Sequence, residues 1–405
     1  MYKLSHTMEK MVQSIMGRLS KAGKPILVSF LNVFVLLIFS YVLNNQPLFT
    51  GEDLNQYAWM EFLKNKMGLS EQVDYSDALF VNVSYDKQLI EKKDEFGMPV
   101  GNIDITDRTK LLALLNILES TNQYRYIILD VRFEKGLDSE MDSALFSKIK
   151  NMKRIVVANH LDVELADSCL SAKAAISDYA STIVATNFAR YKFLHGKQPS
   201  LPLFAYKDLT GKTITKHGLI YSCGGSLCYN SLFLKFPYNG FSEYGGNGEK
   251  SYYNMGSDLL LNYSGQDLST LAKNKLVFIG DMVEDVHDTY AGLKPGTVIT
   301  YHALRSLLLG EHMVSYTLLF FLSIVFFFIS LSLFKEGVII KRIPFVRKSH
   351  SKLLHFFLPL IGYTFVLFVI VVVLNLLFNV TISIIVPSIY FTIQKTILNF
   401  KRTKI

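Results

Sequence analysis

Apolar residues fall along this chain in two different patterns. Four long apolar runs stand out, "PILVSFLNVFVLLIFSYVL", "YTLLFFLSIVFFFISLSLF", "LLHFFLPLIGYTFVLFVIVVVLNLLF" and "VTISIIVPSIYFTIQKTIL". A bilayer core of about 30 Å needs about 20 apolar residues at helical rise. The runs therefore predict transmembrane helices over 25–43, 314–334, 353–378 and 380–398. The fourth is the weakest, because Gln394 and Lys395 interrupt it near its end.

Residues 45–312 carry shorter, mixed periods instead. Helical spacing marks 55–69, 106–121 (with Thr106 or Asp107 as its cap), 138–152, 267–274 and 297–310. Short β-rich runs mark 78–85, 126–131, 154–159 and 275–281, and Gly97, Pro99 and Gly101 mark a loop or hairpin. Apolar strands alternating with amphipathic helices argue for βαβ units around a mostly parallel sheet. The pattern loosens between 160 and 250, and the Gly- and Tyr-rich stretch 238–256 reads as loop. The expected fold is an α/β domain with a mostly parallel sheet, plus four transmembrane α-helices, one before the domain and three after.

Charge orients this arrangement. Lys3, Lys10, Arg18, Lys21 and Lys24 precede the first run; Lys335, Lys341, Arg342, Arg347, Lys348 and Lys352 lie between the second and third; Lys401, Arg402 and Lys404 follow the fourth. Residues 45–312 hold more acids than cations, although the whole chain is +8. The positive-inside rule then places 1–24, 335–352 and 399–405 in the cytoplasm and 45–312 on the far side of the membrane. The positive charge belongs to topology and anionic lipid, so it gives no argument for nucleic acid. No small-x-small cleavage pattern follows the first run, which reads as an uncleaved signal anchor. Ahead of it, Leu4, Met8, Met11, Ile15 and Leu19 suit either an amphipathic helix on the inner leaflet or a disordered basic tail. Cys223 and Cys228 allow a small disulfide loop only if Gly224-Gly225 form a turn.

The chemistry-bearing stretch is "LVFIGDMVEDVHDTYAGLKPG", with Asp281, Asp285, His287, Asp288 and Thr289 close together. Asp281 ends a predicted strand, as do Asp130 and Asn159, and open parallel sheets bind ligands beyond the carboxyl ends of their strands. Three readings stand side by side. Asp281 and Asp285 cap a helix start and Thr289 satisfies loop backbone; or these residues contact a small ligand or ion; or they ligate a metal, although the spacing fits neither an EF-hand nor an H-E-x-x-H helix. His302 reads as a helix-face residue packed on the sheet, with a proton-sensitive role as the alternative. No G-x-S-x-G occurs, and "LTGKT" (209–213) lacks the earlier glycine of a phosphate loop. No acid or arginine lies inside the runs, which disfavours a transporter. No cofactor, metal or catalytic residue is assigned.

The same stretch also resembles a family. Ile279-Gly280, Asp285 or Asp288, Thr289, Pro295-Gly296 and His302-Ala303, preceded by "LLLNYSG" and "YIILDVRFEKGLDSEMDSALFSKI", are similar to the CHASE domain of the second type. That family consists of extracellular sensory modules of bacterial receptors, commonly with one membrane helix before the domain and three after. The resemblance covers roughly 25–400 and implies a sensor of a small solute or envelope component. It departs from the family pattern in stopping at "NFKRTKI", where family members continue into an output domain. The expected reader is therefore a separate cytoplasmic effector, with Lys341, Arg342, Arg347 and Lys348 as candidate partner-facing residues. The alternatives are an accessory subunit of an envelope complex and a periplasmic metal-dependent enzyme. Homo-oligomerisation is left open.

Overall fold

The computed structural model describes residues 2–45, 52–70, 73–93, 96, 98–161, 163–177, 188, 190–238, 241–244, 249–334, 352–378 and 380–403. The chain divides into two compact units. One comprises Met1–Leu48, Asn55–Met60 and Val314–Ile405; the other comprises Phe49–Leu54 and Glu61–Met313.

In the first unit, α1 (Tyr2–Asn45) continues without a break from the basic segment into the first apolar run. Among the described residues, three helices are long and apolar enough to cross a membrane, at Gly23–Asn45, Tyr316–Phe334 and Pro359–Phe378. The expected fourth span takes a different form. Residues 380–384 are not helical, and the last helix runs Ile385–Thr403, carrying Gln394 and Lys395 in its middle. Its polar residues are used for packing. The Asn32 side chain in α1 donates to Ser330 Oγ (2.6 Å) and Gln394 Oε1 (2.8 Å), and its oxygen accepts from Tyr390 Oη and Gln394 Nε2, both at 2.8 Å. Lys395 donates to the Leu333 carbonyl at 2.7 Å, satisfying one of the carbonyls that a helix C-terminus leaves open. Apolar contacts among Leu36, Leu322, Phe326, Leu367, Val371 and Phe391 complete this core.

The second unit is built on β1 (Ala78–Asn82), followed by the hairpin β2 (Lys87–Lys93) and β3 (Pro99–Thr106) and helix α3 (Arg108–Thr121). Asp107 caps α3, accepting from the backbone of Thr109 and Lys110. Then come β4 (Tyr126–Asp130), α4 (Asp142–Asn151), β5 (Ile155–Asn159) and β6 (Ala174–Ile176). After short strands β7 (Arg190–Lys192), β8 (Leu194–His195) and β9 (Gln198–Pro199), α5 spans Leu201–Thr210. Next are β10 (Ile214–His217), β11 (Ile220–Cys223), β12 (Ser226–Cys228), β13 (Ser231–Phe233) and β14 (Tyr253–Asn254). The unit closes with α6 (Gly265–Ala272), β15 (Leu276–Gly280), the hairpin β16 (Val286–Thr289) and β17 (Gly292–Pro295), and α7 (Gly296–Leu308).

Six of these strands pair in the order β14-β1-β15-β4-β5-β6, every pair parallel. Alternate residues along a strand point to opposite faces. Leu79, Ile127, Val157 and Val277 accordingly pack with α3, α4 and α6, while Phe80, Ile128, Val156 and Phe278 pack with α5 and α7. Burial on both faces is why these strands read as continuous apolar runs.

Gly224-Gly225, both at positive φ, turn β11 into β12. Cys223 pairs with Ser226 and Cys228 with Tyr221, so the cysteines sit diagonally on one face of a hairpin, and both are free thiols. The "LTGKT" stretch is a helix end, with Gly211 at φ 71° as the left-handed cap of α5, and not a phosphate loop.

Candidate functional site

The register sets Asn82, Gly280 and Asp130 side by side at the carboxyl ends of β1, β15 and β4. Beyond these ends lies a cleft of about 620 Å³, lined among others by Asp130, Arg132, His160, Ser177, Asp281, Asp285, His287 and the Ile103–Thr106 end of β3. This is the crevice that an open parallel sheet offers to ligands.

Two glycines allow the walls to meet. A Cβ on Gly280 would stand 2.4 Å from Thr297 Cγ2 and 2.9 Å from the Asp130 carbonyl oxygen. Only a bare backbone lets the first turn of α7 lie against the end of β15 while β15 stays paired with β4. A Cβ on Gly296 would stand 2.4 Å from Asp285 Oδ2 and 3.3 Å from His287 Nε2.

Asp130 is the best-enclosed acid of the cleft. Ser177 Oγ donates to its Oδ1 at 2.8 Å. Burial, reinforced by the neighbouring Asp285 charge, pushes its carboxyl up to about 6, against the opposing pull of Ser177, His160 and His287. Asp285 and His287, two residues apart in extended chain, point the same way; His287 Nε2 lies 3.0 Å from Asp285 Oδ1. The Gly296 N–H donates to the Asp285 carbonyl at 2.9 Å, fixing that residue against the start of α7.

Asp281 lines the cleft but is occupied by its own loop. It accepts from the Val283 and Glu284 backbone (2.9 and 2.7 Å), from Ser84 Oγ and from Lys87 Nζ (3.2 Å). Burial alone would raise its carboxyl, but these donors hold it below the ordinary carboxylate range. Asp281 therefore caps a turn and not the helix start expected from the sequence. The expected helix start is absent at 281–285, because the chain turns directly into the β16–β17 hairpin. Asp285 therefore caps no helix, and its side chain is left to the cleft.

The remaining candidates separate. Thr289 is buried in the hairpin, donating to the Gly292 carbonyl and accepting from the Ala291 N–H. Asp288 is exposed, and its carbonyl accepts from the Phe188 N–H. Asn159 ends β5 in register with Ile176, and the adjacent His160 is the residue that lines the cleft. His302 lies in the core, not in the cleft, 3.0 Å from Tyr75 Oη. Lys341, Arg342, Arg347 and Lys348, and the side chains of Leu4, Met8, Met11, Ile15 and Leu19, lie outside the described residues.

The sequence reading missed His160, Ser177, Arg132 and Lys87. His160 and Ser177 follow directly on β5 and β6, so the strand-end rule could have found them; Lys87 and Arg132 are placed by tertiary contacts that leave no local signal. Among the described residues, no three His, Cys, Asp or Glu side chains gather closely enough to hold a metal ion. The cleft instead offers hydrogen-bond acceptors, one carboxyl that titrates near neutrality and an imidazole–carboxylate pair. Those groups suit a small polar solute rich in donors. No family model, curated protein or solved structure matches the chain.

Proposed function

We propose that this chain is a membrane-anchored sensory protein whose α/β unit takes a small polar solute into the cleft at the strand ends. The single observation that carries this reading is the convergence of Asp130, Asp285 and His287 on one cleft at the carboxyl ends of a parallel sheet. The α/β unit stands outside the bacterial inner membrane, and the basic segments before residue 25 and over 335–352 stay in the cytoplasm; the charge pattern supports this orientation. The chain then has four membrane segments, the last being the polar-anchored helix Ile385–Thr403. Its architecture is that of receptors with a CHASE domain of the second type, to which the motifs from Ile279 to Ala303 are similar.

Solute binding favours one arrangement of the cleft over another. The cleft includes Gly296, Ile299 and Thr300 of α7, and α7 leads through the short connection 309–315 into the second span. A change in α7 is thereby delivered to the spans, where a cytoplasmic effector reads it at the basic loop. The test is a thermal-shift screen of the purified full chain against small polar solutes, repeated with Asp130→Asn. A solute that stabilises the native protein and not the variant supports the reading; no stabilising solute, or equal stabilisation of both, overturns it.

One observation favours a second reading, an accessory subunit of an envelope complex. The β2–β3 hairpin carries Leu89, Phe96, Met98 and Val100, all more than half exposed. Recovery of a stoichiometric partner lost on Leu89→Asp and Val100→Asp, and indifferent to solutes, would decide for it.

A further inference from the structure

The segment Asn55–Met60 of α2 (Glu52–Lys66) belongs to the unit that contains the membrane helices, not to the α/β unit. Between it and the third span, Pro359–Phe378, is an apolar groove of about 310 Å³ lined by Asn55, Gln56, Trp59, Met60, Phe368, Val371 and Val372. Met60 is buried beneath it, whereas Trp59 is 54% exposed.

The surroundings of the groove identify what covers it. Phe368 is one of a row of exposed apolar residues on the same helix, with Phe365, Val366 and Val369. On a helix long and apolar enough to cross a bilayer, such a face borders lipid. Val372 and Phe368 lie six and ten residues before Phe378, which is roughly 9 to 15 Å along a helix axis. Half of a bilayer core is roughly 15 Å. The groove is therefore continuous with the lipid-facing surface of the span, at the depth of the acyl chains of one leaflet. The next turn of α2 has an interfacial composition: Phe62 is 44% exposed, and the Lys66 ammonium stands 5.6 Å from the centre of its ring.

We infer that the groove between Asn55–Met60 and the third span holds an acyl chain of a bilayer phospholipid, with Trp59 immersed among the chains of that leaflet. This inference rests on the membrane helices and is independent of the cleft and of any solute. It makes α2 an interfacial helix, an assignment that its short apolar periods did not suggest.

Trp59 is the single tryptophan of the chain, so intrinsic emission reports this position alone. The test reconstitutes the full chain in phosphatidylcholine vesicles and compares ordinary lipid with lipid brominated along its acyl chains. Trp59 is expected to lose roughly half or more of its emission in the brominated vesicles, and to resist acrylamide added to the water. Quenching by acrylamide and not by bromine would place Trp59 in water and overturn the inference. Emission indifferent to both would mean that protein, such as a second copy of the chain, covers the groove, and would overturn it equally.

Discussion

His287 Nε2 lies 3.0 Å from Asp285 Oδ1, and both groups fill the space beside Gly296, where an added Cβ would stand 2.4 Å from Asp285 Oδ2 and 3.3 Å from His287 Nε2. The obstacle at Gly296 is the end of a rotatable side chain, so Gly296→Ala relieves itself by turning Asp285 aside. We expect less than about 1 kcal/mol of lost stability, but about tenfold weaker solute binding, because the acceptor pair is displaced. Gly280→Ala meets the Asp130 carbonyl at 2.9 Å, and backbone cannot turn aside. That variant should lose about 1–3 kcal/mol in urea or thermal unfolding. Equal stability losses in the two variants would refute this contrast.

Asp130→Asn should stabilise the protein at pH 7 while abolishing solute binding. The native carboxyl titrates at about 6 in the folded state, against 3.8 ordinarily. A raised carboxyl contributes stability that is complete below the unfolded value and is lost as pH rises through the folded one. At pH 7 the ionised group therefore costs up to about 3 kcal/mol, at about 1.4 kcal/mol per pKa unit, and neutral asparagine removes that cost. Asparagine can still accept from Ser177. The variant's advantage should be full above about pH 6 and narrow as pH falls toward 3.8. A variant less stable than the native chain at pH 7 would show that Asp130 serves the fold and not the cleft.

Which parts of this molecule could be read from sequence follows from how each residue is constrained. "YIILD", "RIVVAN" and "KLVFIGD" announce themselves because strands buried on both faces must be apolar throughout. Asp130 and Asp281 were placed correctly because a polar residue ending such a run marks the sheet's carboxyl edge. Between 160 and 250 the described strands are two to four residues long, too short to establish a period. Helix α5, "LPLFAYKDLT", was missed because its first turns are buried almost throughout and show no polar stripe. The last apolar run predicts a span from 380, but its helix begins at Ile385, and the meaning of Gln394 and Lys395 depends on Asn32 and Leu333, which are hundreds and tens of residues away. Ser177 is likewise brought to Asp130 only by the closure of β6 against β5.

Asn32→Leu should loosen the membrane helices without unfolding the α/β unit. The native amide joins α1 to Ser330 of the second span and to Tyr390 and Gln394 of the last helix. Leucine is as apolar as lipid, so the loss is that of hydrogen bonds whose partners stay behind inside the bundle. Each is worth about 0.6 kcal/mol, up to about 1.7, in membrane proteins. We expect a lower SDS concentration for helix dissociation, followed by disulfide trapping between cysteines introduced in α1 and the last helix. Unchanged trapping efficiency would show that apolar packing alone seats the last helix.

Acid should destabilise the α/β unit through two core histidines, and His312→Phe should remove part of that effect. His312 is fully buried, its ring edge-on to Tyr206 at 5.5 Å, and neither ring nitrogen has a hydrogen-bond partner among the described residues. Burial, with the Lys212 charge nearby, lowers it to about 4; burial, with Arg305 and Lys294, lowers His302 to about 3. Both folded values lie below the ordinary 6.5. Stability is therefore complete above that value and lost as pH falls toward the folded ones, at about 1.4 kcal/mol per pH unit for each histidine. Asp130 acts in the opposite sense below about pH 6, so the cleanest comparison is made in the Asp130→Asn background. There, His312→Phe should roughly halve the slope of stability between pH 6 and pH 4.5. It should also be no less stable than its parent at pH 7, since it removes an unpartnered buried polar ring. His302 retains its Tyr75 partner and accounts for the slope that remains; an unchanged slope would mean that the His312 ring is solvated or hydrogen-bonded in solution.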